Sequence, residues 1–168
     1  YSEDSKNSAE FLINKFVKPG KNVLTLKIYR WSPGSYLECQ DFWRISGIER
    51  DVFLYSQPKA ALKDFRVTST LDDTYKDGIF KLGVDLRNNG STAGNMTLVY
   101  ELLDANGKVV ATGEKATNVA AGETRTVSFD QTLPDVKTWS SEAPNLYKLV
   151  MTVKENGKVN EDRKSTRL

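Results

Sequence analysis

An all-β sandwich is the fold class this sequence predicts, and three observations predict it. In run after run between residues 58 and 160, apolar and polar residues alternate with the period of two that marks a half-buried strand. Glycine, asparagine and aspartate gather between those runs, where the chain has to turn. No stretch carries the 3.6-residue apolar period of a long helix. The result is about seven strands in roughly 100 residues, the signature of an immunoglobulin-like β-sandwich.

The elements follow in order. In Asn22-Val23-Leu24-Thr25-Leu26-Lys27-Ile28-Tyr29-Arg30, Leu24, Leu26 and Ile28 fall on one side and Thr25 and Lys27 on the other, which predicts a strand near residues 23–30 after a turn at Lys18-Pro19-Gly20-Lys21. Trp31-Ser32-Pro33-Gly34-Ser35-Tyr36 reads as a β-turn. Proline presets φ at the second turn position, and glycine accepts the positive φ that a type II turn needs at the third. A short strand is expected at Asp51-Val52-Phe53-Leu54-Tyr55, and Gln57-Pro58-Lys59 reads as a linker, with a domain boundary near Pro58.

Asp64-Phe65-Arg66-Val67-Thr68 is the next strand, and Phe80, Leu82, Val84 and Leu86 alternate with Lys81, Asp85 and Arg87 in the one after it. Asn88-Asn89-Gly90 breaks the chain. Met96, Leu98, Tyr100 and Leu102 resume the pattern up to Asp104-Ala105-Asn106-Gly107, whose Asn-Gly pair favours a tight hairpin because both residues tolerate positive φ. Residues 108–111 are its return strand, Ala121-Gly122-Glu123 is a turn, and residues 125–129 form another strand. Tyr147, Leu149, Met151 and Val153 alternate in the last, before Asn156-Gly157. Residues 161–168 have no apolar periodicity and read as a solvated polar tail. The reading divides the chain into residues 1–57, 58–160 and 161–168.

Composition narrows the function classes. The 168 residues carry 24 basic and 22 acidic side chains, a net charge of +2, so no basic footprint for nucleic acid or an anionic membrane stands out. No apolar run approaches the roughly 20 residues of a membrane-spanning helix. The first residues lack both an initiator methionine and a signal-peptide core, so the chain is expected to be part of something longer. Histidine is absent and Cys39 is the only cysteine. That excludes an internal disulfide, His-based triads and a Cys/His zinc site. Chemistry in this chain would have to rest on carboxylates, lysine or tyrosine.

Candidate chemistry is densest over residues 36–51. Its carboxylates could include an acid/base pair, since glycoside hydrolysis needs two carboxylates roughly 5 to 10 Å apart. Interleaved as they are with Arg44 and Arg50, they are expected instead to pair and fix a loop. Trp31, Tyr36, Phe42 and Trp43 could form a platform for a sugar ring, although aromatics near a strand end are more commonly core.

Motifs carry more than these single residues. Arg30-Trp31-Ser32-x-Gly34-Ser35-Tyr36-Leu37-Glu38, then Gln40-Asp41 and Trp43-Arg44-x-Ser46-Gly47-Ile48-x-Arg50-Asp51-Val52, resembles the end of the sugar-binding jelly-roll domain of glycoside hydrolase family 2 β-galactosidases. Trp139-Ser140-x-Glu142-x-Pro144-Asn145-Leu146-Tyr147 resembles the segment before the last strand of the immunoglobulin-like domain that follows in those enzymes. The two lie in the family's order and at about its spacing, and the likeness covers residues 1–160.

The resemblance implies an incomplete jelly-roll segment over residues 1–57, then the sandwich. Family members hydrolyse terminal β-galactosides with two glutamates on a downstream (β/α)8 barrel, so no catalytic residue carries over and the chain alone is expected to be inactive. Family members also use sodium and magnesium. The turn normally reads Trp-Ser-Asp-Gly, and its aspartate reaches the galactose site and helps hold a sodium ion. Here Trp31, Ser32, Pro33 and Gly34 form the corresponding loop, and Pro33 brings no carboxylate to a sugar hydroxyl or a hard cation. No cofactor is therefore expected in this chain.

The implied partners are the barrel and the rest of the jelly roll, with a cytoplasmic or periplasmic bacterial setting. Strands near residues 23–30 and 51–56 would lack neighbours, so Leu24, Leu26 and Ile28 are expected to be covered by the sandwich or by a second copy of the chain. The competing reading is a stand-alone carbohydrate-binding or adhesion module built on Trp31, Tyr36 and Trp43.

Overall fold

The computed structural model describes residues 1–3, 7–37 and 46–165, for Lys164 and Ser165 the backbone only. The chain forms two compact units, Tyr1–Leu54 and Tyr55–Leu168.

The described part of the first unit contains a 3-10 turn at Asn14–Phe16 and a short helix α1 at Pro33–Leu37, and no strand. The strands expected over residues 23–30 and 51–55 do not form. A strand satisfies its N–H and C=O groups only through a neighbour, and alternation in one segment cannot supply that neighbour. Leu24, Leu26 and Ile28 are accordingly 56%, 47% and 53% exposed. The turn at residues 18–21 is present. Gly20 sits at φ +89°, and the Asn22 side chain closes the loop by accepting from the Lys18 N–H at 3.1 Å and donating to the Lys18 and Gly20 carbonyls.

The second unit is the sandwich. Strands β1 (Ala60–Leu71), β2 (Gly78–Asn88) and β5 (Thr124–Leu133) form one sheet in the order β1-β2-β5. Strands β3 (Gly94–Leu103), β4 (Val109–Val119), β6 (Lys148–Glu155) and β7 (Lys158–Ser165) form the other, in the order β4-β3-β6-β7, and every pairing is antiparallel. The fourth strand lies beside the third, whereas a constant-type immunoglobulin domain places it in the opposite sheet.

Alternation placed the core correctly. Phe80, Leu82, Val84 and Leu86 of β2, Met96, Leu98, Tyr100 and Leu102 of β3, and Leu149, Met151 and Val153 of β6 are all buried between the sheets. Each such side chain contributes about 1.5–3 kcal/mol by leaving water. In β1 the inward residues are Ala60 and Leu62, then Phe65 and Val67, a spacing that skips one residue. The register shift between Leu62 and Asp64 is the β-bulge that keeps both halves of the strand facing the core.

The expected polar tail is instead strand β7 over its described part, residues 161–165. Its residues pair with β6 from Glu155↔Lys158 to Leu149↔Ser165. An edge strand buries little and needs no apolar alternation, so charge is compatible with pairing and guards the edge against other chains. The Glu161 carboxylate also accepts the Leu62 N–H at 2.7 Å, which ties β7 to the bulge of β1 in the opposite sheet.

Turn chemistry fixes the register. Asn156 and Gly157 both take positive φ, +50° and +79°, in a two-residue hairpin. The Asn106-Gly107 pair departs from expectation, because only Gly107 is positive, at +80°. There Asp104 Oδ1 accepts the Asn106 and Lys108 N–H groups, both at 2.9 Å, and the Gly107 N–H donates to the Asp104 carbonyl at 3.0 Å. The loop becomes a type I turn followed by a glycine bulge.

Between β1 and β2, Asp72 collects the Thr74 hydroxyl at 2.6 Å and the Lys76 and Asp77 N–H groups at 3.0 Å. The Thr74 hydroxyl first, then the Asp77 and Lys76 amides, hold the Asp72 carboxyl down to about 2. A carboxylate whose folded pKa lies below its unfolded value of about 3.9 stabilises fully above that value and loses its contribution as pH falls through the folded one. Thermal melts followed by circular dichroism should therefore decline between about pH 4 and about pH 2, and the decline should be shallower in Asp72→Asn.

The two ends of the sandwich differ. Ala60 of β1 pairs with Asn88, beside the β2–β3, β4–β5 and β6–β7 turns, whereas Ser165 of β7 pairs with Leu149 at the end where β3 finishes. With an odd number of strands, β1 begins at one end and β7 finishes at the other.

Candidate functional site

The loop Trp31-Ser32-Pro33-Gly34 is built by proline. The Ser35 N–H donates to the Ser32 carbonyl at 3.0 Å, so the expected β-turn forms, but Gly34 keeps a negative φ and the chain continues into α1. The type II geometry is therefore corrected to a helical one. Pro33 stands at the first helical position, where its missing N–H costs nothing and its φ is already right. Ser35 Oγ accepts the Ser32 N–H at 3.1 Å, the return half of a capping box, and donates to the Arg30 carbonyl at 3.2 Å. Both serines thus serve the turn, and Pro33 offers no side-chain oxygen.

Trp31 and Tyr36 come together, with ring centroids 6.3 Å apart and planes inclined at 31°, and the Arg30 guanidinium lies 5.3 Å from the Trp31 ring centre. Both rings are exposed. A flat pair would form one platform for a sugar, and this tilted pair does not. Glu38, Cys39, Asp41, Phe42, Trp43 and Arg44 lie outside the described residues.

The second motif is a closed loop. Trp139 bridges Pro144, the Ser140 N–H donates to the Ala143 carbonyl and the Ala143 N–H to Ser140 Oγ, each at 3.0 Å. Asn145 Nδ2 donates to the Thr138 carbonyl at 2.9 Å, and Tyr147 Oη accepts the Lys137 N–H at 2.9 Å. This is the device of the tyrosine corner, in which a tyrosine at the start of the sixth strand reaches back to the preceding backbone. Ser141 and then its own backbone N–H hold the Glu142 carboxyl below its usual range, so it is an ionised loop acceptor rather than a proton donor.

Asn88, read from sequence as a chain break, proves to be the hub of the opposite end. It is buried, its Nδ2 donates to the Thr92 and Val119 carbonyls at 2.8 and 2.9 Å, and its Oδ1 accepts the Gly90 N–H at 2.8 Å. Beside it lies a polar depression of about 240 Å³ lined by Lys59, Asn95, Asn118, Glu155 and Asn156 among others. Glu155 is its one acidic lining residue, so it cannot supply the two carboxylates of a glycosidase. The signal that could have found Asn88 is an asparagine at an inward position of an otherwise apolar alternation.

Comparison with known proteins settles the family. The family model described as glycosyl hydrolases family 2 matches residues 60–167, and the model of that family's sugar binding domain matches residues 1–58. The chain belongs to glycosyl hydrolase family 2. This family 2 chain is 43% identical over 155 residues to a β-galactosidase of Priestia megaterium, covering 92% of the chain and 15% of that enzyme. To a β-galactosidase of Halalkalibacterium halodurans it is 42% identical, over 94% of the chain and 15% of the enzyme. Among solved structures, a β-glucuronidase of Bacteroides uniformis superposes with a TM-score of 0.71 at 18% identity, over 76% of this chain and 16% of that one, which shows a shared fold. The family 2 chain thus spans about 15% of the length of the curated relatives it matches.

Proposed function

We propose that this chain is a non-catalytic part of a β-galactosidase, in which the sandwich spaces and orients the sugar-binding jelly roll against the catalytic barrel. The observation that carries this reading is the pair of family matches in chain order, sugar-binding segment first and sandwich second. The geometry supports it. Because β1 begins at one end and β7 finishes at the other, the chain enters and leaves the sandwich at points about the length of a strand apart, roughly 30 Å for eight or nine residues. The Glu161 link ties the two sheets together, and the Tyr147 hydroxyl ties the start of β6 to the loop before it.

Within this reading the loop at Trp31, Ser32, Pro33 and Gly34 is the remnant of a galactose-site loop. Its side chains do not fit a sodium or magnesium ion, because Pro33 has no side-chain oxygen and Ser35 Oγ is engaged by the Ser32 N–H and the Arg30 carbonyl. Among the described residues no group of three or more acidic or sulfur ligands comes together to hold a metal.

Incubation with a nitrophenyl galactoside should give no turnover by the purified chain. Turnover that scales with chain concentration and survives repurification would overturn the reading. Calorimetric titration with galactose and lactose should likewise give no heat of binding, whereas binding abolished by Trp31→Ala would favour the stand-alone module.

A further inference from the structure

Three turns of the sandwich contain an Asn-Gly pair, at residues 89–90, 106–107 and 156–157. Such a pair can deamidate without an enzyme. The glycine nitrogen loses its proton and attacks the asparagine side-chain carbonyl carbon, the new N–C bond closes a succinimide ring, and ammonia leaves. Water then opens one ring carbonyl or the other, giving aspartate or isoaspartate, in which the backbone runs through the former side chain. The first step needs a glycine N–H that is free to ionise and a side-chain amide free to swing over it.

We propose that Asn156 is the residue at which this fold deamidates, and that isoaspartate there releases β7 from its register. At the first pair, the Gly90 N–H is held by Asn88 Oδ1 at 2.8 Å, and Asn89 Oδ1 accepts Arg87 Nε at 2.8 Å. At the second, the Gly107 N–H is held by the Asp104 carbonyl at 3.0 Å. At the third, among the described residues, neither the Gly157 N–H nor the Asn156 side-chain amide has a hydrogen bond, and both residues are exposed at a hairpin tip.

The chain carries its own control. Asn-Gly-Lys-Val occurs at residues 106–109 and again at 156–159, so the residues that set the intrinsic rate are the same and only the fold differs.

The consequence follows from the hairpin. Two residues close it between Glu155 and Lys158, and isoaspartate adds a carbon to that backbone. Shifting β7 pulls Glu161 from the Leu62 N–H, which it holds at 2.7 Å, and so unfastens the link between the two sheets.

The whole chain is incubated at mildly alkaline pH, which favours the deprotonated glycine nitrogen, and conversion at each asparagine is followed by peptide mapping with mass spectrometry. Conversion at Asn156 ahead of Asn89 and Asn106 is expected; conversion at 156 no faster than at 106 overturns the assignment. Hydrogen exchange on the incubated chain should then quicken over residues 158–165 and at Leu62. In Asn156→Gly, which keeps a Gly-Gly pair suited to this turn and cannot deamidate, the same incubation should leave exchange unchanged. Equal quickening in both proteins contradicts the release of β7.

Discussion

Gly113→Ala should destabilise the sandwich by about 3 kcal/mol, the upper end of the range for overpacking a core. Gly113 of β4 pairs with Tyr100 of β3, and a Cβ built on it would lie 2.6 Å from a Tyr100 ring carbon and 3.0 Å from two carbons of Phe129. Neither ring can step aside. Tyr100 is fully buried, with its centroid 4.8 Å from that of Phe129 in an edge-to-face contact and 5.5 Å from that of Phe80. Urea unfolding should show a lower midpoint with an unchanged slope. In a Tyr100→Leu background, where the clashing ring is gone, the same substitution should cost measurably less. An equal cost in both backgrounds would mean that the ring is not the obstacle.

Asn88→Ala should cost about 3 kcal/mol by a different route. The side chain satisfies two carbonyls and one N–H at the end where β2, β3 and β4 meet, and removing it leaves the buried Val119 carbonyl unpaired, at about 1–3 kcal/mol, and loses the part-buried bonds to Thr92 and Gly90 as well. Asn88→Asp should be nearly as damaging, since it keeps the acceptor for Gly90 but turns a carboxylate toward the Thr92 and Val119 carbonyls. Chemical denaturation of both variants reads this directly, and an Asn88→Asp protein as stable as the parent would show that the amide donors are dispensable.

What sequence could show was periodicity and turn chemistry. Eleven inward residues of β2, β3 and β6 were legible because a strand with one buried face has to alternate. The segment around Leu24, Leu26 and Ile28 alternates equally well and forms no strand, because pairing is a property of two segments and periodicity of one. β7 failed in the opposite sense, since an edge strand held by Glu161 and the 156–157 hairpin needs no apolar pattern. The two Asn-Gly-Lys-Val turns differ because Asp104 stands two residues before Asn106 and captures two N–H groups, whereas Lys154 stands two before Asn156. That difference was readable and lay outside the pair itself.

The candidate loop was legible as a turn, and its departure at Pro33 was legible only against the family motif. The helical outcome follows from proline at the first position of a helix, which suits a type I geometry as readily as a type II. Gly113 was invisible for another reason: it matters through Tyr100 and Phe129, which lie far away in sequence, whereas Asn88 left a signal in the alternation but its link to Val119 did not.

The spacer account is tested most directly by exchanging residues 1–168 for the matching segment of the Priestia megaterium β-galactosidase and measuring galactoside hydrolysis with Pro33 and with Pro33→Asp. The account predicts a folded chimera in which Pro33→Asp turns over the galactoside and the Pro33 form does so more slowly, while the isolated chain gives none. A folded chimera that remains inactive with aspartate at position 33 would contradict it.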